Sequence, residues 1–578
     1  SVSSFLLSFP PFFCFRGMEG GGGTGYVPGV TGIAYPGELL AIMGSSGAGK
    51  TTLLNTLTFR NNGNIVSGQR AVNGIPINST TLSSLSAYVQ QDDLFIGTLT
   101  VREHLVFQAL VRMDPQIPYS QRMIRVEEVI KELTLSKCQH TVIGTPGRIK
   151  GISGGEMKRL SFASEVLTNP PVMFCDEPTS GLDSFMAQNV VTVLKSMALK
   201  GKTIICTIHQ PSSEVYAMFD KILLMRIEPF FYLFSRIFTL NHLSTVSCYR
   251  LGASCPSNYN PADYYIQLLA IVPTQEEACR DHVDMVCDSF ERSEQGIKLT
   301  AVTDELNTEI PLIHKLRVAN RSPYKASWWA QFEAVLWRSW LSIKKEPVLI
   351  KVRLLQTLMV AIMIGLIYFD QNLDQDGVMN INGALFICIT NMTFQNVFAV
   401  ISVFCSELPV FMREHFNGMY RTDVYFLCKT MAEVPIFLAI PCIFTCVMYY
   451  MVGLNPKFSH FLAAGAIITL VSNVATSFGY FISCASSNVS VALSIGPPVI
   501  IPFLLFGGFF LNVGSVPSYF KWLSYLSWFK YGNEALLINQ WADIDTIACT
   551  RANTTCPKNG HIVLETYNFS EVSSSLKI

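Results

Sequence analysis

The chain has no excess charge of either sign: 42 Lys and Arg balance 42 Asp and Glu over 578 residues. A nucleic-acid partner, which needs a basic surface, therefore has no support from the totals. Cys-x-x-Cys pairs are missing too. The 16 cysteines thus make no zinc module and read as reduced cytosolic thiols or as small apolar residues in helices. Charge itself is scarce, 15% of residues against 49% hydrophobic, a balance that excludes an ordinary soluble protein. Residues 5–15 are apolar but short, carry Pro10 and Pro11 and have no basic region ahead of them, so they read as neither signal peptide nor span. The glycine-rich residues 20–25 read as the end of an atypical, flexible lead-in over residues 1–25.

What charge there is lies mostly between about residues 50 and 351 and then thins out. A chain too long for one core therefore divides into a soluble N-terminal part and a membrane-embedded C-terminal part. In the soluble part, the apolar residues 38–43 read as a buried strand. It leads into Gly44-Ser45-Ser46-Gly47-Ala48-Gly49-Lys50-Thr51-Thr52 and then the apolar Leu53 and Leu54 of a helix. This is a phosphate-binding loop in its strand–loop–helix setting. Glycines let backbone N–H groups turn toward phosphate oxygens, Lys50 reaches the β- and γ-phosphates of ATP, and the Thr51 hydroxyl meets Mg²⁺.

A second apolar run, residues 172–175, ends in Asp176 and Glu177. A strand that delivers two carboxylates at its carboxyl end can place a metal-holding Asp176 beside a water-polarising Glu177. Between these elements Ser153-Gly154-Gly155-Glu156 precedes a helical apolar pattern, and after them come Ser180-Gly181-Leu182-Asp183 and His209-Gln210-Pro211. Alone, the serine reads as a helix cap, the Asp-Glu pair as loop charge and the histidine as a surface residue. In this order they resemble an ATP-binding cassette. The resemblance implies that Ser153, Gly154 and Gly155 face ATP held by the phosphate loop of a second subunit. It further implies that Asp183 lies at the dimer seam and that His209 contacts the γ-phosphate. Gln91, in preference to Gln90, is implied to touch Mg²⁺ and to act with Glu177 and His209 in catalysis.

In the C-terminal part, residues 327–345 carry Trp328, Trp329, Trp337 and Trp340 with Arg338, Lys344 and Lys345, the pattern of an interfacial helix. Five apolar stretches follow, at about 349–369, 383–405, 431–453, 460–484 and 489–511, each long enough to cross a core of about 30 Å. Lys344, Lys345, Lys351 and Arg353 precede the first stretch, and Arg413, Arg421 and Lys429 lie between the second and third. The loop after the first holds Asp370, Asp374 and Asp376. Basic loops inside put the ATP domain in the cytosol and residues 512–578 outside or in a lumen, where Cys549 with Cys556, Asn553 and Asn568 suit a disulfide and glycans. Asn391 inside the second stretch reads equally as a helix–helix bond and as a substrate contact. Lys429 and Glu433, four apart, read as an ion pair.

A cassette ahead of its membrane domain, with Thr179-Ser180-Gly181-Leu182-Asp183-Ser184 and Asn260-Pro261-Ala262-Asp263-Tyr264, is similar to the G subfamily of half-transporters over residues 30–225 and 250–570. Residues 88–95 and 174–178 resemble its insect pigment-precursor members. The resemblance implies an α/β cassette with a helical signature subdomain over residues 26–270, a linker over 271–326, the connecting helix at 327–345 and an all-α bundle over 346–511. A sixth span is expected where the chain stops. It implies an ATP hydrolase of a plasma or vesicle membrane, working as a heterodimer or homodimer on tryptophan- or guanine-derived small molecules. Sterol, lipid or xenobiotic export, or a non-transporting subunit, are the alternatives. Asn391, Phe394, Pro497 and Ile501 match a central substrate cavity, and Phe509 and Phe510 its far-side plug. Residues 226–248 have no counterpart in the family, and Tyr26 is a candidate to stack on adenine.

Overall fold

The computed structural model describes residues 13–22, 25–60, 66–145, 147, 149–225, 238–241, 255–256, 259–268, scattered positions of 277–301, 324–511, 518–548 and 557–567. Cys549, Cys556, Asn553, Asn568 and residues 226–237 lie outside these, as do the side chain of Tyr26 and most of the expected linker. The chain divides into two compact units, residues 1–331 and 332–578.

In the first unit, β1 (Phe13–Gly22), β2 (Gly25–Ala34), β4 (Val66–Val72) and β5 (Ile75–Pro76) form an antiparallel sheet in the order β2-β1-β4-β5. The expected lead-in is therefore corrected. Phe13 and Phe15 are fully buried, and the glycines that follow pair across β2, with register shifts on either side of Met18. Glycine weakens a strand, but pairing on both edges of β1 supplies the backbone partners that hold it.

The second sheet runs β10-β9-β3-β8-β7-β6. Its members are β3 (Leu39–Gly44), β6 (Ser86–Val89), β7 (Val172–Cys175), β8 (Thr203–Thr207), β9 (Lys221–Met225) and β10 (Phe238–Asn241). All pairs are parallel except β10 on β9, so part of the stretch without a family counterpart supplies an edge strand. Every residue of β3, β7 and β8 is buried, as a parallel sheet covered on both faces requires. Phe13 meets Phe174 edge-on at 5.3 Å between ring centroids, one of the contacts joining the two sheets through a shared core with Leu40, Leu53, Leu54 and Ile205.

Around the sheets stand α1 (Lys50–Leu57), α2 (Ser79–Leu85), α3 (Val101–Arg112), α4 (Tyr119–Glu132), α5 (Gly154–Val166), α6 (Ser184–Leu199) and α7 (Pro261–Leu268). Capping boxes fix the starts of α3, from Thr100 to Glu103, and of α5, from Ser153 to Glu156.

The division between units falls inside α8 (Trp328–Lys345), the expected connecting helix. Its exposed residues include Trp329, Trp337 and Trp340, while Ala334, Val335 and Arg338 are buried. Next come α9 (Pro347–Ile367), α10 (Gln375–Phe416), α11 (Thr422–Val452) and α12 (Phe458–Ala485), four helices long and apolar enough to cross a membrane. In the fifth expected span the helix is shorter than the apolar stretch: α13 (Val489–Leu505) has 17 residues, with Pro497, Pro498 and Pro502 inside it. At 1.5 Å per residue the helix reaches about 26 Å, the lower end of what a hydrocarbon core of about 30 Å takes.

Residues 512–578 are not simply a loop either. Within them α14 (Lys521–Leu526), α15 (Trp528–Trp541) and α16 (Gly560–Thr566) bring Phe529, Leu536, Leu537, Trp541, Val563 and Leu564 into the same core as α9–α13. Trp541, fully buried, donates its Nε1 to Asn382 Oδ1 at 2.8 Å.

Lys429 meets Glu433 at 3.1 Å, the pair read from spacing, and also Glu407 at 2.8 Å from 22 residues away.

Candidate functional site

Four strands of the parallel sheet, β3, β8, β7 and β6, end at one place. At the end of β3 the phosphate loop turns into α1 through Gly49, whose φ of 82° is left-handed and strained for any other residue. No side chain caps α1, which leaves its first N–H groups available to an anion. Lys50, only 6% exposed, folds back over the loop and donates to the carbonyls of Gly44 and Ser45 at 3.0 Å each. Burial lowers its pKa from the ordinary lysine range, against the pull of Glu177 and Asp176. A buried ammonium that leans on carbonyls and on nearby carboxylates is matched to phosphate oxygens.

At the end of β7, Asp176 Oδ1 accepts from the Thr51 hydroxyl at 3.0 Å and from the Thr207 hydroxyl at 2.8 Å. The carboxylate and hydroxyl of an expected Mg²⁺ site are thus brought together across 125 residues of sequence. Glu177 follows with φ 42°, in the left-handed region unusual for a glutamate, and its N–H donates to Thr207 Oγ1 at 2.8 Å. Gln91, just past β6, donates its Nε2 to Glu177 Oε2 at 2.8 Å. The phosphate loop, Asp176, Glu177 and Gln91 therefore form one constellation.

Other expected residues stand differently. Ser153 and Gly154 are exposed at the start of α5; the described hydrogen bonds of Ser153 with a side chain are those of its capping box. Gly155 is buried, and a Cβ there would stand 2.9 Å from Met186 Sδ, so the signature corner packs closely on α6. Asp183 accepts from Met186 N at 2.8 Å as the cap of α6. His209 is exposed two residues beyond β8. Asn260 ties the Asn-Pro-Ala-Asp segment to this region by donating to Pro211 O at 3.0 Å.

Three contributors were not read from sequence. Thr207 accepts from the Glu177 backbone and donates to Asp176, which makes one buried hydroxyl the hinge of the carboxylate pair. Tyr88 donates to Asn55 Oδ1 at 2.9 Å and lies 3.5 Å from Asp176 Oδ2; burial, with Asp176 beside it, pushes its pKa well up, so it stays a neutral donor. Lys158 reaches from α5 to the Gln91 carbonyl and to Asp93, at 3.1 Å from the latter.

In the second unit, Asn391 and Phe394 lie on α10, and Pro497 and Ile501 on α13. The helices meet where a Cβ at Gly496 would stand 3.6 Å from Phe398 and Ile401. Phe394 stacks on Phe398 at 5.9 Å. Asn391 Nδ2 is buried with no hydrogen-bond partner among the described residues, and Ile501 is 45% exposed. Phe509 stacks on Phe386 at 4.8 Å, with Phe510 edge-on to the same ring.

Two family models match: "ABC transporter" over residues 28–180 and "ABC-2 type transporter" over residues 330–541. The chain is 60% identical over 546 residues to Protein white of Drosophila melanogaster, across 94% of this chain and 78% of that protein. It belongs to the G family of ABC transporters. Protein scarlet of the same fly is 37% identical over 94% of this chain and 81% of its own length. ABC transporter G family member 7 of Arabidopsis thaliana is 32% identical over 93% and 74%. As a G-family member the chain is an ATP-driven transporter that carries its ATP-binding domain and its membrane domain in one polypeptide.

Lys50→Ala is expected to abolish ATP binding at this chain's phosphate loop, since it removes the charge that balances the phosphates. Photo-crosslinking with azido-ATP checks this, and retained labelling of the loop contradicts the assignment.

Proposed function

We propose that the chain pairs with a second half-transporter and that each of two ATP molecules is enclosed between the phosphate loop of one subunit and Ser153–Gly155 of the other. The observation that carries this reading is the exposed signature corner beside a phosphate site built by other residues. Lys50, Thr51, Asp176, Glu177 and Gln91 converge, while Ser153 stands exposed at a helix start with its hydroxyl in a capping box. Ser46 and Gly47 of the phosphate loop are exposed, and an exposed helix start is the shape to cover phosphates held there. Heterodimer and homodimer both satisfy this geometry.

The donor set fits ATP with Mg²⁺. Thr51 and Asp176 would hold the ion with Gln91, and the ion would supply neutralisation of charge building on the phosphate oxygens. Glu177, held by Gln91 and by its own backbone bond to Thr207, orients a water and takes its proton. His209, exposed beside these strand ends, faces the γ-phosphate when the subunits close. Nucleotide closes the cassettes and the membrane helices change access; hydrolysis reopens them. The basic residues Lys344, Lys345, Lys351, Arg353, Arg413, Arg421 and Lys429 support a cytosolic cassette, since loops rich in Lys and Arg stay inside.

For the cargo, we favour flat heteroaromatic molecules of the tryptophan- or guanine-derived kind. Stacked Phe394 and Phe398 offer a ring surface, and the unpartnered Asn391 Nδ2 beside them calls for an acceptor on the ligand. Similarity to Protein white supports the same class. Uptake of labelled tryptophan, guanine and sterol into vesicles carrying the chain with candidate partners tests it; sterol uptake alone overturns it.

A further inference from the structure

The mechanism so far leaves the buried cation beside Gln91 unused. Lys158 is 4% exposed in the middle of α5, five residues beyond Ser153, about 7.5 Å along the helix. A buried ammonium is costly unless its protons are taken up. Here the carbonyl of Gln91 accepts one, and Asp93 Oδ2 lies 3.1 Å away. Both partners sit on the segment that follows β6, 65 or more residues from Lys158 in sequence. A second tie joins the same two elements. Phe95 sets its ring against His104 edge-on at 4.9 Å, and His104 Nε2 meets Ser164 Oγ of α5 at 3.0 Å. On its other side the segment reaches the carboxylate centre, because the Gln91 side chain donates to Glu177.

An unbroken path of short contacts thus runs from the helix that begins at Ser153, through Lys158 to the Gln91 backbone, and through the Gln91 side chain to Glu177. We propose that Lys158 is a positioning residue that couples the two nucleotide sites of the dimer. When Ser153–Gly155 is engaged by nucleotide on the partner subunit, α5 moves as a rigid body. Lys158 then carries Gln91 and Asp93 with it, which sets Glu177 in this chain's own site. The inference rests on the composite-site reading above and adds to it a direction of communication, from the signature corner of a chain to its own general base.

The test uses the full chain, purified with its partner in lipid nanodiscs, and follows ATP hydrolysis against ATP concentration. In the parent protein turnover is expected to rise cooperatively with ATP. Lys158→Met is expected to lower kcat roughly 10–100-fold, the scale of a misplaced catalytic group, with KM changed by less than about threefold. The Hill coefficient falls toward one, which a merely structural lysine would not cause. Lys158→Arg, which keeps the charge and its reach, recovers kcat to within about threefold. Should Lys158→Met fail to fold, Asp93→Asn carries the test, with an expected loss of about 3–10-fold and the same fall in cooperativity. Parental turnover and cooperativity in Lys158→Met, with ATP-dependent pairing of the subunits intact, overturn this inference alone. Absence of ATP-dependent pairing in the parent protein overturns the composite-site reading and this inference with it.

Discussion

Glu177→Gln is expected to lower ATP hydrolysis by roughly 10²–10⁴-fold, the usual contribution of a positioned general base. Nucleotide affinity should stay near the parent value. The substitution is nearly isosteric, and a glutamine at this position still accepts from Gln91 Nε2, now 2.8 Å from the carboxylate. The backbone N–H of residue 177 keeps its bond to Thr207, so the left-handed turn that aims the side chain is retained. Only the capacity to take a proton is lost. Single-turnover hydrolysis and equilibrium ATP binding, measured on the chain with its partner, separate the two quantities. An unchanged rate would assign hydrolysis to the partner's residues and leave this chain as a contributor of half-sites.

Arg338→Met is expected to destabilise the membrane unit by about 3–5 kcal/mol, because it strands a buried carboxylate. Arg338 and Glu414 are 2% and 1% exposed. Arg338 Nη1 meets both carboxylate oxygens, at 2.9 and 2.7 Å, and Nη2 donates to the Tyr420 hydroxyl at 3.2 Å. Tyr420 in turn donates to Glu414, and burial with Glu414 beside it holds the phenol well above its usual range. The triad joins α8 to the end of α10 and to the turn before α11, so its loss loosens the first helix of this unit from two others. Replacing Arg338 and Glu414 together by Met and Leu should recover much of the loss, since no charge is then left uncompensated. Thermal unfolding in detergent, followed by tryptophan fluorescence, reads both outcomes. A single substitution that leaves the midpoint unchanged contradicts the role given to the triad.

The phosphate loop, the Asp176–Glu177 pair and the start of α5 were legible in the sequence because each is local. Glycines, a lysine and a capping serine sit within a few residues, and apolar runs beside them mark the strands. Thr207 and Lys158 were not legible. Their contacts reach 31 and 67 residues away and depend on which strand lies beside which. Once β8 is placed next to β7, with Cys175 opposite Cys206, Thr207 necessarily falls beside Asp176. The glycine-rich start was misread for the opposite reason. Local composition argued for flexibility, while pairing on both edges of β1 decided the outcome. In the membrane unit hydropathy located the apolar stretches, but it did not give the end of α13. The apolar residues that continue to Leu511 extend the signal past the helix, which ends at Leu505. Residues after 518 contain Trp528, Phe529 and Trp541 among polar neighbours, and only packing against α10 and α12 shows them to be core.

The measurement that bears most directly on the shared nucleotide is ATP-dependent disulfide formation. Ser46→Cys is placed in the exposed part of this chain's phosphate loop, and a second cysteine replaces the signature serine of the other subunit, which is Ser153 when the partner is a second copy. With Glu177→Gln present to hold the closed state, ATP and Mg²⁺ should drive a cross-link that joins two polypeptides and that is absent without nucleotide. A cross-link confined to one polypeptide, or one indifferent to ATP, would contradict a nucleotide held between Lys50 of one chain and the Ser-Gly-Gly corner of the other.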